Sequence, residues 1–156
     1  MTFTSNPIEL PMQDGGHPFQ RADLLFYGVD HSSASFEARV FLNRPDATAE
    51  TPRTEEQGYV GSFYMFGHGG CFGDAGHCDV PREPVSPFDR RGEHQLTPRT
   101  KIVVITESLR RLIDSSGHEG SIQVTVVPVV RPSPFASSED AADVLKIDRV
   151  QLITYE

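Results

Sequence analysis

In the segment SFEARVFL, Ser35 to Leu42, apolar side chains fall on every second position, at Phe36, Ala38, Val40 and Leu42. A period of two is that of a strand with one face turned to a core. ADLLFYGVD, Ala22 to Asp30, reads as a strand before it. YVGSFYMF, Tyr59 to Phe66, is apolar at both parities, which predicts a strand covered on one face by the core and on the other by a loop or a partner. TKIVVIT (Thr100 to Thr106), SIQVTVVPV (Ser121 to Val129) and VLKIDRVQLITY (Val144 to Tyr155) predict three more strands. Between two of them, ESLRRLIDSSG spaces Leu109, Leu112 and Ile113 as one face of a short helix, with Thr106 placed to cap its start and Gly117 its end. The alternation puts Phe36, Val40, Phe63, Ile102, Val104, Ile122, Val124, Val126 and Ile153 between two sheets.

Twelve prolines and 13 glycines lie between these apolar segments and leave little room for long helices. The fold class expected is therefore all-β, an antiparallel β-sandwich of about six to eight strands with one short helix. Residues 1–21 read as a polar N-terminal arm and residues 22–156 as a single sandwich domain. Two long loops interrupt it. One, residues 43–58, is polar. The other, residues 67–98, starts rich in Gly, Cys and His and becomes Pro-rich, so its first half is expected to be ordered and its second half to drape over the surface. Loops of this length in a small domain tend to carry function.

Charge narrows the partners. The 156 residues hold 22 acidic and 14 basic side chains, a formal charge of -8, which excludes a phosphate backbone as the natural partner. No apolar run approaches the ~20 residues of a bilayer span. The opening residues have neither the basic start nor the apolar centre of a secretory leader, so the compartment expected is the cytoplasm.

The chemistry concentrates in FGHGGCFGDAGHC, Phe66 to Cys78, which contains both cysteines. His68, Cys71, His77 and Cys78 are ligand types suited to copper(I) or zinc, and the surrounding glycines permit the irregular backbone that adjacent His77 and Cys78 need to reach one ion. The same residues also fit a Cys71–Cys78 disulfide, or a reduced loop packed against the preceding strand. Tyr64, Phe66 and Phe72 are aromatic residues in or beside this loop, fit either to pack in the core or to dock on a partner. Other motifs carry less. Asp30-His31-Ser32 reads as a turn rather than a hydrolase triad. Arg90-Arg91 and Arg110-Arg111 read as solvated ion-pairing residues. The glycine-rich loop lacks the Lys-Ser/Thr ending of a phosphate loop.

FEARVFLNRPDATAETPRTEEQGYVGSFYMFGH resembles the start of the C-terminal β-sandwich domain of type-3 copper proteins: tyrosinases, polyphenol oxidases and molluscan haemocyanins. A FDVFIN-like strand, a Thr-Pro loop and an AGSF-like strand are matched in order by Phe36–Asn43, Thr51-Pro52 and Val60–Phe63. ITESLRRLIDSSGHEGSIQVTVVPV is similar to the family's helical turn, acidic loop and SIVVTLVP-like strand. The oxidase unit of that family holds its coppers with histidines on a helical bundle. Here His17, His31, His68, His77, His94 and His118 are scattered through expected loops. The resemblance thus implies a non-catalytic accessory domain that covers or partners a tyrosinase-like type-3 copper oxidase; the segment apolar on both faces and the aromatics beside the glycines put the expected contact at Tyr64, Phe66 and Phe72. The oxidase would lie on another chain, on a separated part of the same one, or be missing. In some fungal members a more closely spaced cysteine pair is thought to pass copper to the enzyme. A second reading is accordingly a small protein that stores or delivers copper or zinc through His68, Cys71, His77 and Cys78.

Overall fold

Strand pairing in the computed structural model follows the alternation of the chain. The structure describes residues 2–10, 19–67, 87–88, 98–115, 120–130 and 144–156. The six segments read as strands all form them: β3 (Arg21–Val29), β4 (Phe36–Leu42), β5 (Tyr59–Met65), β6 (Arg99–Val104), β8 (Val124–Val130) and β9 (Arg149–Tyr155). Three two-residue strands join these, β1 (Phe3–Thr4), β2 (Ile8–Glu9) and β7 (Ser121–Ile122). All pairings are antiparallel, in sheets of order β1-β8-β4-β5, β6-β3-β9 and β2-β7. The protein is an all-β antiparallel sandwich.

The two larger sheets enclose one core. Leu24 and Phe26 of β3, Val103 of β6 and the partly buried Val150 and Leu152 of β9 meet Ala38 and Val40 of β4, Phe63 of β5, and Val124 and Val126 of β8. Phe36, Ala38, Val40 and Leu42 are all buried, as the period of two in β4 requires. At the edge where β5 approaches β6, the close fit depends on a residue without a side chain: Gly61 has φ 145°, and a Cβ there would lie 2.8 Å from Val103 Cγ1.

Two positions expected in the core face outward instead. Ile102 and Val104 are 54% and 53% exposed, while Val103 and Ile105 take the inward places. Residues 102–105 are apolar at both parities, so alternation cannot assign their faces; the register Leu24↔Val103 does. Ile153 shares the outward face, paired with Asp23, and is only partly buried.

The N-terminal residues are woven into the sheets. Phe3 pairs with Val126 and Ile8 with Ile122. The Ser5 N–H donates to Val124 O at 2.8 Å, and Ser5 Oγ accepts from the Val124 N–H at 2.9 Å. Strands of two residues are too short to show a period.

The helix, α1 (Thr106–Asp114), buries Leu109 and packs Leu112 and Ile113 on the core. Its N-cap is Ile105, with no side-chain cap bond, and not Thr106. Thr106 lies inside the helix because its hydroxyl serves another bond: Oγ1 accepts from the Ala22 N–H at 3.0 Å while Ile105 N–H donates to Ala22 O at 2.8 Å. This reciprocal pair ties the helix start to β3. The C-cap is Ser115, whose N–H donates to Arg111 O; Gly117 lies outside the described residues.

Candidate functional site: the β5 edge and its surroundings

Among the described residues β5 pairs with β4 alone and forms one margin of its sheet. Its inward residues Phe63 and Met65 are buried, whereas Tyr64 is 61% and the following Phe66 80% exposed. Large aromatic rings held this far into solvent, on a strand whose other face is locked in the core, form an apolar projection at the margin.

Behind Tyr64 lies an ion cluster. Glu37, opposite Tyr64 in register, is buried. Its Oε1 accepts from Arg53 Nη1 at 3.2 Å and makes a long 3.5 Å contact with the Tyr64 hydroxyl; Oε2 accepts from Arg39 Nε and Nη2, each at 3.3 Å. Arg39 Nη1 also donates to Ala49 O at 2.7 Å. These bonds hold residues 43–58 down on the outer face of the sheet. Beneath that loop Phe41, Ala47 and Val127 form a second buried cluster with Ala49 and Tyr59, the rings of Phe41 and Tyr59 being 5.6 Å apart. A loop therefore covers the Tyr59 end of the outer face and leaves the Tyr64 end open. Sequence reading missed this cluster, although Glu37 and Arg39, two apart on a strand, signal a shared face.

The chain leaves β5 under tight constraint. Gly67 N–H donates to Ser35 Oγ at 3.0 Å, and a Cβ on Gly67 would collide with Ser33 O and Ala34. The turn it packs against is set locally, since Asp30 Oδ1 accepts from the Ser32 N–H at 2.8 Å. That bond, with help from the Ser32 side chain, Lys146 and His31, holds the Asp30 carboxyl below its usual pKa. Asp30-His31-Ser32 is thus a turn. His68, Cys71, Phe72, His77 and Cys78 lie outside the described residues. Among the described residues no group of three or more His, Cys, Asp and Glu side chains is placed to hold a metal ion.

Two other surface features stand near this edge. A groove of about 310 Å³ opens between the 3-10 turn Glu55–Gln57 and α1, bridged by Arg111 Nη2 to Glu55 Oε1 at 2.7 Å. Arg110 pairs with Glu107 at 3.0 Å, so both arginines form surface ion pairs. On the other sheet, the face turned away from the core carries Ile102, Val104, Leu25, Ile153 and Tyr155 around Asp23. No helix of the described residues is long and apolar enough to cross a membrane.

This arrangement is that of a compact sandwich domain with apolar projections on its margin. Scanned against protein-family models the sequence matches none, and no curated protein is detectably similar to it. Solved structures do match. Latent aurone synthase (polyphenol oxidase) from natural source superposes with a TM-score of 0.54 at 16% identity, covering 99% of this chain and 24% of that one. The recombinantly expressed form of that enzyme gives 0.53 at 17% identity, with the same coverage. At this identity the likeness is one of fold. The chain spans about a quarter of the length of the polyphenol oxidases it matches.

Proposed function

We propose that this chain is a non-catalytic accessory domain of a tyrosinase-like type-3 copper oxidase, covering the oxidase or binding beside it. The observation that carries the reading is the match of 99% of this chain to 24% of a polyphenol oxidase. It fits the order of strands, Thr-Pro loop and helical turn by which the sequence resembles the C-terminal domain of such enzymes.

Contact is assigned to the β5 margin. Tyr64 and Phe66 project from a strand anchored by Phe63 and Met65, and Phe72 follows in the sequence, outside the described residues. An exposed phenyl ring gains about 1.5–3 kcal/mol on full burial, so Phe66 alone can account for a tenfold or greater share of affinity. A rigid sandwich seated on an oxidase in this way excludes phenolic substrate by occupying the approach to the copper centre.

The test is titration of the chain into the dicopper catalytic chain of the tyrosinase-like oxidase from the same genome. Association accompanied by a fall in phenol oxidation is expected, with Phe66→Asp weakening both at least about tenfold. A genome without such an oxidase, or an oxidase that does not bind the wild-type chain, removes the reading.

A further inference from the structure

A proline in β8 fixes which main-chain groups of β5 are left over. Ala38 of β4 pairs with Pro128, which has no N–H to donate. In an antiparallel ladder the N–H and C=O of one residue point to the same side, and the side alternates along the strand. The main-chain groups of Ala38 therefore turn to β5, where Ala38 pairs with Phe63, and those of Phe36 turn to Met65 in the same way. Ser62 and Tyr64, of the opposite parity, direct their N–H and C=O away from β4, along the margin of the sheet. Among the described residues neither takes a main-chain partner there.

This edge lacks the usual protections. Open edges are guarded by shortness, charge or proline. Of the described edge strands, β1 is two residues long, β6 carries Arg99 and Lys101, and β9 carries Arg149. β5, with the sequence YVGSFYM, has neither a charge nor a proline. At its Gly61 end Val103 of β6 packs against the strand, and the β4 ladder shifts register beside it, between Val40 and Phe41. The stretch left to pair is residues 62–65.

The absence of charge identifies the occupant. A strand that pairs with its own copy about a two-fold axis sets each charged position near its like, which is destabilising. A strand kept for a different chain has no such restriction, because the partner's charges can be complementary. An axis through Phe63 places Ser62 opposite Tyr64 of the copy, so these two residues exchange N–H and C=O bonds, twice over by symmetry. Ser62 is small and leaves room for the Tyr64 ring, which is 61% exposed in the single chain. The two Tyr64 rings then lie diagonally across the pair, within aromatic reach. Glu37 behind Tyr64 does not oppose this, since Arg39 and Arg53 hold its carboxylate.

We propose that β5 is a homodimerisation edge, at which two copies of the chain pair antiparallel through residues 62–65 about an axis at Phe63 and join their four-stranded sheets into one. The proposal stands independently of the accessory-domain reading. Where both hold, the second copy covers Tyr64 and competes with the oxidase for the margin, so the chain docks as a monomer.

The experiment is sedimentation of the full chain between about 10 µM and about 1 mM, as wild type, Ser62→Pro, Ser62→Glu and the double variant Ser62→Glu/Tyr64→Lys. Proline at an edge position whose N–H points outward removes no bond to β4, and thermal unfolding reports whether each variant is folded. The wild type is expected to pass from monomer to dimer, more readily at about 300 than at about 50 mM salt, because two copies of charge -8 repel. Each single Ser62 variant is expected to weaken the dimer at least about tenfold, and the double variant, with each glutamate opposite a lysine of the copy, to regain most of it. A wild type that stays monomeric, or a dimer indifferent to both Ser62 substitutions, overturns the proposal. A folded double variant that does not recover overturns the register at Phe63. If the chain stays monomeric and Ser62→Pro instead abolishes binding of the oxidase, the edge receives a strand of that enzyme and the second copy is excluded. If the chain dimerises through Ser62 while the oxidase does not bind, the accessory reading falls and the dimer stands.

Discussion

The rings of Phe26 and Phe63 lie 5.0 Å apart at an interplanar angle of 44°, and they join the two sheets of the sandwich. Phe26 comes from β3, at the centre of one sheet, and Phe63 from β5, at the margin of the other. Phe63 is therefore the anchor that lets its strand neighbour Tyr64 project into solvent. Phe26→Ala is expected to cost about 3–5 kcal/mol of a total stability of about 5–15 kcal/mol. Tyr64→Ala should stay within about 0.5 kcal/mol because its ring is largely exposed. Urea unfolding measures both; equal effects would mean that the core is elsewhere.

Gly61 and Val103 should be energetically coupled. Gly61→Ala places a methyl against Val103 Cγ1 at a φ that side chains rarely adopt, and is expected to destabilise by about 1–3 kcal/mol. Val103→Ala removes the colliding atom, so its cost should be smaller in the Gly61→Ala background than in the wild type. A double-mutant cycle reads this directly; strict additivity would show that φ strain, not contact, sets the cost.

Asp30 gives a pH dependence of known sign. Its carboxyl is held below the ordinary value of 3.8, chiefly by the Ser32 N–H. A carboxylate with a depressed folded pKa contributes stability that is present above the unfolded value and lost as pH falls through the folded value. Acid unfolding of the wild type should steepen below about pH 4, and Asp30→Asn, an uncharged stand-in for the protonated carboxyl, should flatten that limb by lowering stability at neutral pH while leaving acid stability little changed. An NMR titration of the Asp30 carboxyl that shows an ordinary pKa would contradict the geometry.

The residues His68, Cys71, His77 and Cys78 can be tested without reference to any partner. A metal site there carries about one equivalent of copper(I) or zinc, loses it in both Cys71→Ser and Cys78→Ser, and binds less as pH falls. A disulfide shows no free thiol before reduction, and either substitution costs about 2–3 kcal/mol. A packed loop shows two titratable thiols, no ion, and small effects. Elemental analysis beside thiol titration decides among the three.

What the sequence determined by itself is the set of long strands and much of their facing. In β4 the alternation of Phe36, Ala38, Val40 and Leu42 with Glu37 and Arg39 leaves a single way to bury the apolar side, because a strand turns its residues by half a turn each. The tertiary structure decided the rest. In β6 apolar residues occupy both parities, so only pairing with Leu24 could choose Val103 over Ile102 and Val104. Phe3 and Ile8 show no local pattern, and their strands exist only because β8 and β7 offer backbone partners. The same holds for both surfaces of interest. Tyr64 and Phe66 fit either a core or a contact surface in sequence, and the outward Leu25, Ile102 and Ile153 come from three segments far apart along the chain. Exposure and juxtaposition are properties of packing between distant segments, which no local period encodes.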